Sequence, residues 1–393
     1  MDFNKLALEL HETHQGKIEV ISKIPLETLD DLSTAYTPGV AEPCRKIVEN
    51  PQDIYKYTSK GNMVAVITDG TAVLGLGNIG AEASLPVMEG KCILLKEFGG
   101  VDGFPICLNV HEPEELIRTV KALAPSFGGI NLEDIASPQC FEIEKRLEAE
   151  LDIPVFHDDQ HGTAIVVTAG LLNAAKCVGK SLDSLKVVLN GPGAAGTAII
   201  SMLLFAGVKE ILACDEFGIL HPDRAEGMIP HKKHLATITN LEKKTGGLAE
   251  ALVGADVFIG VSAPNVLTPE MIKTMAPSPI VFAMANPVPE IPYEVAMEAG
   301  VAVMGTGRSD FPNQINNVLA FPGIFRGALR ANARDINNTM KFSAAQAIAG
   351  LVSEDKLAPD YIIPSPFDPR VAEAVASAVE DAAQETGVAN QRR

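Results

Sequence analysis

Residues 185–215 read LKVVLNGPGAAGTAIISMLLFAGVKEILACD and contain the strongest structural signal in the chain. An apolar strand runs directly into Gly191, Gly193 and Gly196, and an uninterrupted helical pattern follows. The next strand ends at Asp215, 24 residues after Gly191, where a carboxylate can hold a ribose 2′-hydroxyl. The stretch predicts a Rossmann-type unit that binds a dinucleotide through Gly191, Gly193, Ala194, Ala195, Gly196 and Asp215.

A second glycine loop, VLGLGNIG at residues 73–80, repeats the spacing at Gly75, Gly77 and Gly80. Its strand is broken by the Asp69–Gly70 turn, and its helical pattern meets Pro86 within a few residues. Glu97 lies 22 residues after Gly75, so spacing alone does not dismiss this loop. We expect the loop at residues 73–80 to form a close contact between a strand and a helix, and we expect the nucleotide to bind at the Gly191 loop.

Apolar runs and helical patterns alternate on both sides of the Gly191 loop, which is typical of an α/β protein with parallel sheets. MVAVITDG, CILLKEF, FPICLNV, GGINLED and IPVFHDD precede it as predicted strands. LKVVLN, EILACD, DVFIGVS, PIVFAMA and VAVMGTG are spaced for a doubly wound sheet. With a boundary near FHDDQHGTA and a helical tail packing back, we predict two domains: residues 1–157 plus 317–393, and residues 158–316.

Composition narrows the functional classes. The net charge of −18 argues against nucleic acid and anionic membranes as partners. The six cysteines are scattered without a C-x-x-C pair, which favours a reducing cytoplasm over a disulfide or zinc framework. No signal-peptide core and no run of 18 apolar residues occurs, so we expect a cytoplasmic protein.

Acidic residues follow two of the predicted strands. Glu133 and Asp134 come after GGIN, and Asp158 and Asp159 come after IPVF. Because ligands of open α/β sheets bind beyond the carboxyl ends of strands, these acids could hold Mg²⁺ or Mn²⁺. The alternative is that both pairs are solvated turn residues. His157 and His161 could indicate a softer metal, but orienting or surface roles fit them better.

Eight motifs together resemble malic enzyme, in order and over nearly the whole chain. They are STAYTPGVAEPC, ITDGTAVLGLGNIG, PVMEGKCILLKEFGGVDGFPICL, INLEDI, PVFHDDQHGTA, NGPGAAGTAI, FAMANPVPE and FPNQINNVLAFPG. The resemblance is to the short bacterial type, without the phosphotransacetylase-like extension of some relatives. It implies oxidative decarboxylation of (S)-malate to pyruvate and CO₂, with reduction of NAD(P)⁺.

The resemblance also assigns roles to single residues. It makes Tyr36 the general acid, and it makes Lys91 the general base, paired with Asp158. Glu133, Asp134 and Asp159 become ligands of Mg²⁺ or Mn²⁺, while Asn286 and Asn317 contact substrate or nicotinamide. It places the early glycine loop on the substrate side. It implies a homodimer or higher assembly, in which Tyr36 could serve a neighbouring active site.

One position departs from the family pattern. Larger relatives have an arginine after TDG that grips a substrate carboxylate, whereas this chain has Thr71 and Ala72. Other residues must then bind that carboxylate.

The charges near the expected ribose site bear on the choice between NAD⁺ and NADP⁺. Asp215, followed by Glu216, would repel a 2′-phosphate and so favours NAD⁺ over NADP⁺, although Lys232 and Lys233 could offset that charge. A metal-free dehydrogenase of another small hydroxy acid and a non-catalytic NAD sensor are the alternatives to a malic enzyme. The strand-end acids argue against the sensor, because buried carboxylates without a cation are costly.

Overall fold

The computed structural model describes residues 2–390, which form two parallel β-sheets with helices on their faces. The first sheet has the strand order β2-β1-β3-β4, and all its pairs are parallel. Its strands are β1 (Met63–Thr68), β2 (Asp102–Cys107), β3 (Gly129–Leu132) and β4 (Val155–His157).

The second sheet has the order β10-β9-β8-β5-β6-β7. Its strands are β5 (Lys186–Asn190), β6 (Glu210–Asp215), β7 (Gly218–Ile219), β8 (Val257–Gly260), β9 (Ile280–Ala283) and β10 (Val303–Thr306). Five of these are parallel and correspond to the five predicted runs; the two-residue β7 pairs antiparallel with β6 at the edge. The strand order reverses direction at β5, so the predicted doubly wound α/β class is confirmed.

Sixteen α-helices are found in the described part of the chain. Four precede the first sheet: α1 (Phe3–His14), α2 (Leu29–Ala35), α3 (Ala41–Glu49) and α4 (Ile54–Tyr57). The next are α5 (Ala81–Gly99), α6 (Pro113–Leu123), α7 (Gln139–Glu150), α8 (Asp158–Cys177) and α9 (Ala194–Phe205). The rest are α10 (Pro230–Ile238), α11 (Leu248–Leu252), α12 (Pro269–Thr274), α13 (Tyr293–Glu298), α14 (Phe321–Arg330), α15 (Asn338–Gly350) and α16 (Val371–Glu385).

One predicted strand is wrong. CILLKEF, residues 92–98, lies inside the 19-residue helix α5, which continues through Pro86. The residues that α5 buries recur every three to four positions, the period of a helix rather than of a strand. They are Ala81, Ser84, Met88, Cys92, Leu95 and Gly99. The first sheet therefore has four strands instead of five.

Helix α8 lies at the centre of the molecule. Its N-terminus follows β4 directly, and it packs on α9 and α15 and touches β9 and β10 of the second sheet. Most of its 20 residues are buried, and one continuous apolar core runs from the first sheet across α8 to the second. The acids at the start of α8 are thus fixed to a helix that is largely buried.

The N-terminal segment is packed differently. None of the described residues of α1, α2 and α3 is buried. Large apolar side chains there are strongly exposed, among them Phe3, Val20, Ile21 and Leu29. An apolar surface of this kind is typical of a surface that contacts another chain.

Candidate active site

The acids predicted from the sequence meet at one edge of the first sheet. β3 and β4 are parallel neighbours with Leu132 paired to His157, so Glu133 and Asp158 leave the sheet side by side. Glu133, Asp134 and Asp158 are buried. These three side chains are therefore not the solvated turn residues of the alternative interpretation.

Lys91 joins this acidic cluster from helix α5. Its Nζ lies 3.0 Å from Oε1 of Glu133 and donates a hydrogen bond to Oδ2 of Asp158. The same Asp158 oxygen accepts a bond from the side-chain amide of Asn317. The ammonium also lies 4.5 Å from the ring centroid of Phe321, a favourable cation–π distance. The structure thus brings Lys91, Asp158 and Asn317 together.

Glu133, Asp134 and Asp159 offer carboxylate oxygens that all lie within 4.8 Å of one another. The backbone N–H of Asp134 donates to Oδ2 of Asp159 at 2.7 Å, and the amide of Asn131 donates to Oε2 of Glu133 at 2.9 Å. These bonds fix the three side chains relative to each other. Clustered carboxylate oxygens are the donor set of a hard divalent cation, so the residues fit Mg²⁺ or Mn²⁺.

Burial and charge act against each other in the cluster. Burial raises the pKa of Glu133 well above its ordinary value, and Lys91 only partly opposes this. Burial alone would lower the pKa of Lys91, but Asp158, Glu133 and Asp159 outweigh it and raise that pKa above its ordinary value. Lys91 is therefore protonated in the chain by itself. A bound divalent cation adds positive charge, which disfavours the ammonium form.

The two histidines orient the acids instead of lying at the surface. Nε2 of His157, a fully buried residue, lies 3.1 Å from Oδ2 of Asp159. Nε2 of His161 lies 2.9 Å from Oε1 of Glu144 on α7. Glu144 also accepts bonds from the backbone N–H of His157 at 2.9 Å and from the amide of Gln160 at 2.8 Å. Glu144, which was not predicted as a site residue, thereby binds the residues on either side of Asp158 and Asp159.

Two predicted site residues lie outside the cluster. Tyr36 is 68% exposed at the end of α2, and no hydrogen bond described for residues 2–390 joins its side chain to Lys91 or to the acids. Asn286 is exposed in the loop after β9.

Thr71, at the position of the missing arginine, donates through its hydroxyl to Asp69 at 2.6 Å and accepts the N–H of Ala136 at 2.9 Å. That hydroxyl organises its own loop.

The Gly191 loop lines a cavity of about 660 Å³ at the carboxyl ends of β5, β6 and β8. Gly191, Gly193 and Asp215 lie in its wall, while Ala194, Ala195 and Gly196 begin helix α9 behind it. Its size is within the usual range for a small-molecule or cofactor site.

The glycines of this loop have distinct structural roles. Gly191 has φ 102°, which glycine adopts without strain. A Cβ on Gly196 would lie 2.1 Å from the Gly191 carbonyl oxygen, so only glycine allows helix and strand to pack here. A Cβ on Gly193 would meet no described atom within 4 Å and would project into open space. This cradle fits a dinucleotide pyrophosphate, which needs close approach to the backbone.

Glu290, a buried residue not singled out in the sequence, joins the loops that follow β8 and β9. The carboxylate of Glu290 accepts the backbone N–H of Ser262 after β8 and that of Ala285 after β9, both at 3.0 Å. A Cβ on Gly260 would lie 2.4 Å from its carboxyl carbon, so glycine makes room for it. Glu290 belongs to the NPVPE motif, but nothing in that motif indicates burial.

The early glycine loop is packed against its own turn. The N–H groups of Ile79 and Gly80 both donate to the Gly70 carbonyl, at 3.1 and 3.2 Å. A Cβ on Gly75 would lie 3.3 Å from the carbonyl oxygen of Asn286. Gly75 therefore lies close to the loop after β9, whereas a Cβ on Gly77 or Gly80 would meet no described atom within 4 Å.

Asp215 has cationic partners that change the expected charge at the ribose position. Arg224 binds its two oxygens in bidentate fashion, with both distances 2.7 Å, and Lys232 Nζ lies 2.7 Å from Oδ2. Burial acts to raise the pKa of Asp215, but these two cations hold it below its usual value. The repulsion of a 2′-phosphate expected from Asp215 and Glu216 is thus offset by the positive charges of Arg224 and Lys232.

A dinucleotide-type cradle indicates an oxidoreductase, and the buried carboxylates with a lysine provide the groups for acid–base chemistry. Comparison with known proteins gives the family. Residues 15–148 match the N-terminal domain model of malic enzyme, and residues 160–384 match its NAD binding domain model. The chain belongs to the malic enzyme family.

Individual relatives agree over almost the full length. A bifunctional malic/malolactic enzyme of Bacillus subtilis is 61% identical over 389 residues, covering 99% of this chain and 95% of that one. An NAD-dependent malic enzyme of Geobacillus stearothermophilus is 60% identical, covering 95% and 78%. The crystal structure of malic enzyme from Pyrococcus horikoshii superposes with a TM-score of 0.96 at 52% identity, covering 100% and 93%.

These similarities confirm the resemblance, the fold class and the enzyme class predicted from the motifs. The chain is an NAD(P)-dependent oxidoreductase of the type that decarboxylates malate. The non-catalytic NAD sensor is not supported, and neither is a dehydrogenase of an unrelated acid. Among residues 2–390, no helix has both the length and the apolarity needed to cross a bilayer.

Proposed function

We propose that the Lys91 cluster is the catalytic centre for oxidative decarboxylation of (S)-malate to pyruvate and CO₂, with a divalent cation bound by Glu133, Asp134 and Asp159. The observation that supports this most directly is Lys91 held between Asp158 and Glu133, next to clustered carboxylate oxygens. One site then combines a proton carrier with a ligand set for a hard cation.

A metal ion, a cofactor and the chain's own residues each supply one part of the proposed chemistry. When bound, Mg²⁺ or Mn²⁺ supplies Lewis-acid stabilisation of charge on the substrate oxygens, and NAD(P)⁺ supplies the hydride acceptor. The chain contributes the cradle at Gly191, Gly193 and Gly196 for the pyrophosphate. Asn286 and Asn317 contribute carboxamides for substrate or nicotinamide.

Two residues move protons in this proposal. Lys91 takes the proton of the C2 hydroxyl as malate is oxidised. Asp158 accepts a hydrogen bond from Nζ of Lys91, and Asn317 donates to the same Asp158 oxygen and so holds that carboxylate in place. Tyr36 returns a proton to C3 after CO₂ has left, which completes pyruvate. Lys91 and Tyr36 must each be able to exist in both protonation states. A divalent cation bound near Lys91 would lower its pKa and so favour the neutral amine.

A spectrophotometric assay tests the function. The purified protein should increase absorbance at 340 nm with (S)-malate, NAD⁺ and Mn²⁺, and a chelator should remove this activity. Excess Mn²⁺ should restore it. The proposal of a metal-dependent decarboxylation would be refuted if the chelator left the rate unchanged or if no CO₂ were released.

Variants of helix α5 test the role of Lys91. Lys91→Ala should abolish malate oxidation, because the C2 proton then has no acceptor. Lys96→Ala is the matched control, since Lys96 lies on the same helix but is exposed and pairs with Asp102 at 2.6 Å. General acid–base groups contribute about 10²–10⁴-fold, so a loss below about fivefold in Lys91→Ala would show that it is misassigned.

Tyr36→Phe should also lower malate turnover by a large factor. It should still allow metal-dependent decarboxylation of added oxaloacetate to the enol, whose ketonisation would become slow. An unchanged rate of pyruvate formation would refute the general-acid role.

We further propose a homodimer in which Tyr36 completes the active site of the neighbouring subunit. Its support is the exposed apolar face of the N-terminal segment and the 68% exposure of Tyr36 itself. Mixing and refolding equal amounts of Tyr36→Phe and Lys91→Ala should then restore roughly a quarter of wild-type activity, because about half of the dimers are mixed and half of the sites in each mixed dimer are intact. Without shared sites the mixture stays inactive.

The domain division remains our proposal, with residues 1–157 plus 317–393 as one domain and 158–316 as the other. Helices α14 and α16 pack on α5, which supports a tail that returns to the first domain. A cytoplasmic location is supported by six free thiols, which suit a reducing compartment.

A further inference from the structure

Gln160, the third residue of helix α8, lies between a carboxylate and an imidazole. Its side-chain nitrogen is 2.8 Å from Oε2 of Glu144 and 2.7 Å from Nδ1 of His157. Gln160 is 4% exposed and His157 is fully buried, so both contacts lie in the interior. Nearly every buried polar atom has a hydrogen-bond partner, and the pattern of donors and acceptors therefore indicates where the protons are.

The orientation of the Gln160 amide follows from Glu144. Burial acts to raise the pKa of Glu144, but His161 and Lys341 outweigh it and lower that pKa to about 2. Glu144 is therefore ionised and can only accept hydrogen bonds. The Gln160 group that faces it must be the NH₂, because an amide oxygen at this position would be repelled.

The same NH₂ group determines the tautomer of His157. An amide NH₂ can only donate, so Nδ1 of His157 must accept and carries no proton. Against the effect of burial, Asp159 raises the pKa of His157, but a second ring proton on Nδ1 would point at the NH₂ group of Gln160. The hydrogen-bond pattern thus selects the neutral ring with its proton on Nε2.

Nε2 of His157 faces the metal-binding cluster. It lies 3.1 Å from Oδ2 of Asp159, and the same oxygen accepts the backbone N–H of Asp134 at 2.7 Å. Among residues 2–390, both short polar contacts described for the Asp159 carboxylate are made by Oδ2. Oδ1 is therefore the oxygen that can bind a cation.

We propose that Gln160 is a positioning residue of the metal site: it places the proton of His157 on Nε2, where it holds Oδ2 of Asp159 and leaves Oδ1 for Mg²⁺ or Mn²⁺. Glu144 anchors Gln160 from helix α7. Hydrogen-bond partners of this kind orient the ligands of a metal ion and contribute to its affinity. The inference rests on the proposed function in that Asp159 is taken as a metal ligand.

Nitrogen NMR of the full chain tests the tautomer without relying on turnover. Spectra of protein with ¹⁵N-labelled histidine distinguish protonated from unprotonated ring nitrogens, and a His157→Gln variant identifies the His157 signals among those of the eight histidines. Mg²⁺ serves as the cation, because it is diamagnetic. The wild type should show a protonated Nε2 and an unprotonated Nδ1. In Gln160→Glu a carboxylate replaces the donor, so Nδ1 should become protonated.

Metal titration tests the consequence for the site. Gln160→Met removes the donor at similar side-chain length and should raise the dissociation constant of Mn²⁺ about 10- to 100-fold, measured by calorimetry. Asn173→Leu is the matched control, since Asn173 is a buried carboxamide of the same helix that donates to the carbonyls of Ala349 and Ile362, both at 2.9 Å. It should leave the His157 signals and Mn²⁺ binding unchanged.

The results separate this inference from the proposed function. A protonated Nδ1 in the wild type, or equal weakening of Mn²⁺ binding by Gln160→Met and Asn173→Leu, overturns the role of Gln160, while Mn²⁺ binding by the wild type leaves the proposed function intact. If the wild type does not bind Mn²⁺, the proposed function fails and this inference fails with it. Should Gln160→Met not fold, the spectra of the wild type and Gln160→Glu still decide the tautomer.

Discussion

A single methyl group on helix α8 should disable the catalytic centre without touching a ligand of the metal or the cofactor. A Cβ on Gly162 would lie 1.9 Å from Oδ1 of Asp158 and 3.1 Å from Cβ of Asn317. The Asp158 carboxylate must then move by about 1.5 Å to reach an ordinary van der Waals separation. That movement breaks its contacts with Lys91 and Asn317.

The size of the effect follows from this displacement. A misplacement of about 1 Å in a catalytic arrangement can cost about 10²-fold in rate, so we expect Gly162→Ala to lower kcat about a hundredfold. Folding should be little affected, because alanine in a helix interior gains about 1 kcal/mol in propensity, which offsets part of the crowding.

The assay is the initial rate at saturating malate, Mn²⁺ and NAD⁺, with thermal unfolding measured on the same samples. Gly170→Ala is the control in the same helix, since its Cβ would lie at ordinary contact distance, 3.4 Å, from Ile315 and Phe282. It should keep wild-type kcat. The reasoning is refuted if Gly162→Ala retains more than about a third of wild-type kcat, far short of the expected loss.

Three further predictions concern the metal, the cradle and pH. Asp159→Asn should weaken Mn²⁺ binding more than about tenfold, because even outer-shell changes cost 10–100-fold, whereas exposed Asp152→Asn should not; equal Mn²⁺ titrations would exclude Asp159 as a ligand. Gly193→Val should abolish nucleotide binding by filling the cradle, while Gly77→Val should spare it and impair malate turnover or folding; nucleotide titration of folded protein showing the reverse would overturn our choice of loop. Burial raises the pKa of Glu148 from 4.5 to about 7, so the folded state holds a proton that the unfolded state releases, and stability falls as pH rises from 4.5 through 7. Between pH 5 and pH 7.5 the free energy of unfolding should fall by about 2 kcal/mol more in the wild type than in Glu148→Gln, and parallel losses in denaturation experiments would contradict this.

Local signals were enough to predict the nucleotide sheet and the acidic edge. Around Gly191 the strand, turn and helix are contiguous in sequence, so the pattern specifies the geometry directly. Glu133 and Asp158 could be paired because both end predicted parallel strands, and such ends share one edge. The prediction of a strand at CILLKEF was wrong, because its apolar composition fits a strand as well as a helix. Only the spacing of the buried residues along α5 identifies the helix.

Long-range contacts explain what the sequence could not predict. Arg224 and Lys232 are 9 and 17 residues from Asp215, and only the folding of the loop before α10 brings their charges onto its carboxylate. Glu290 looks like an ordinary loop residue in the sequence. Only the fold shows that its carboxylate accepts backbone N–H groups that follow two different strands. Short motifs indicate which residue types are present, whereas pairing across elements depends on the packed chain.

The uninterrupted course of α8 limits how this protein can change. A 20-residue helix is about 30 Å long, and each residue turns it by about 100°. One residue inserted between the acids at its start and the part embedded under the second sheet would therefore swing Asp158 and Asp159 about a quarter of the way round the helix axis. Deletions would do the same in the opposite sense. Surface loops of this chain can lengthen or shorten over evolution, but the spacing from Asp158 to Cys177 cannot vary without separating the acids from Lys91.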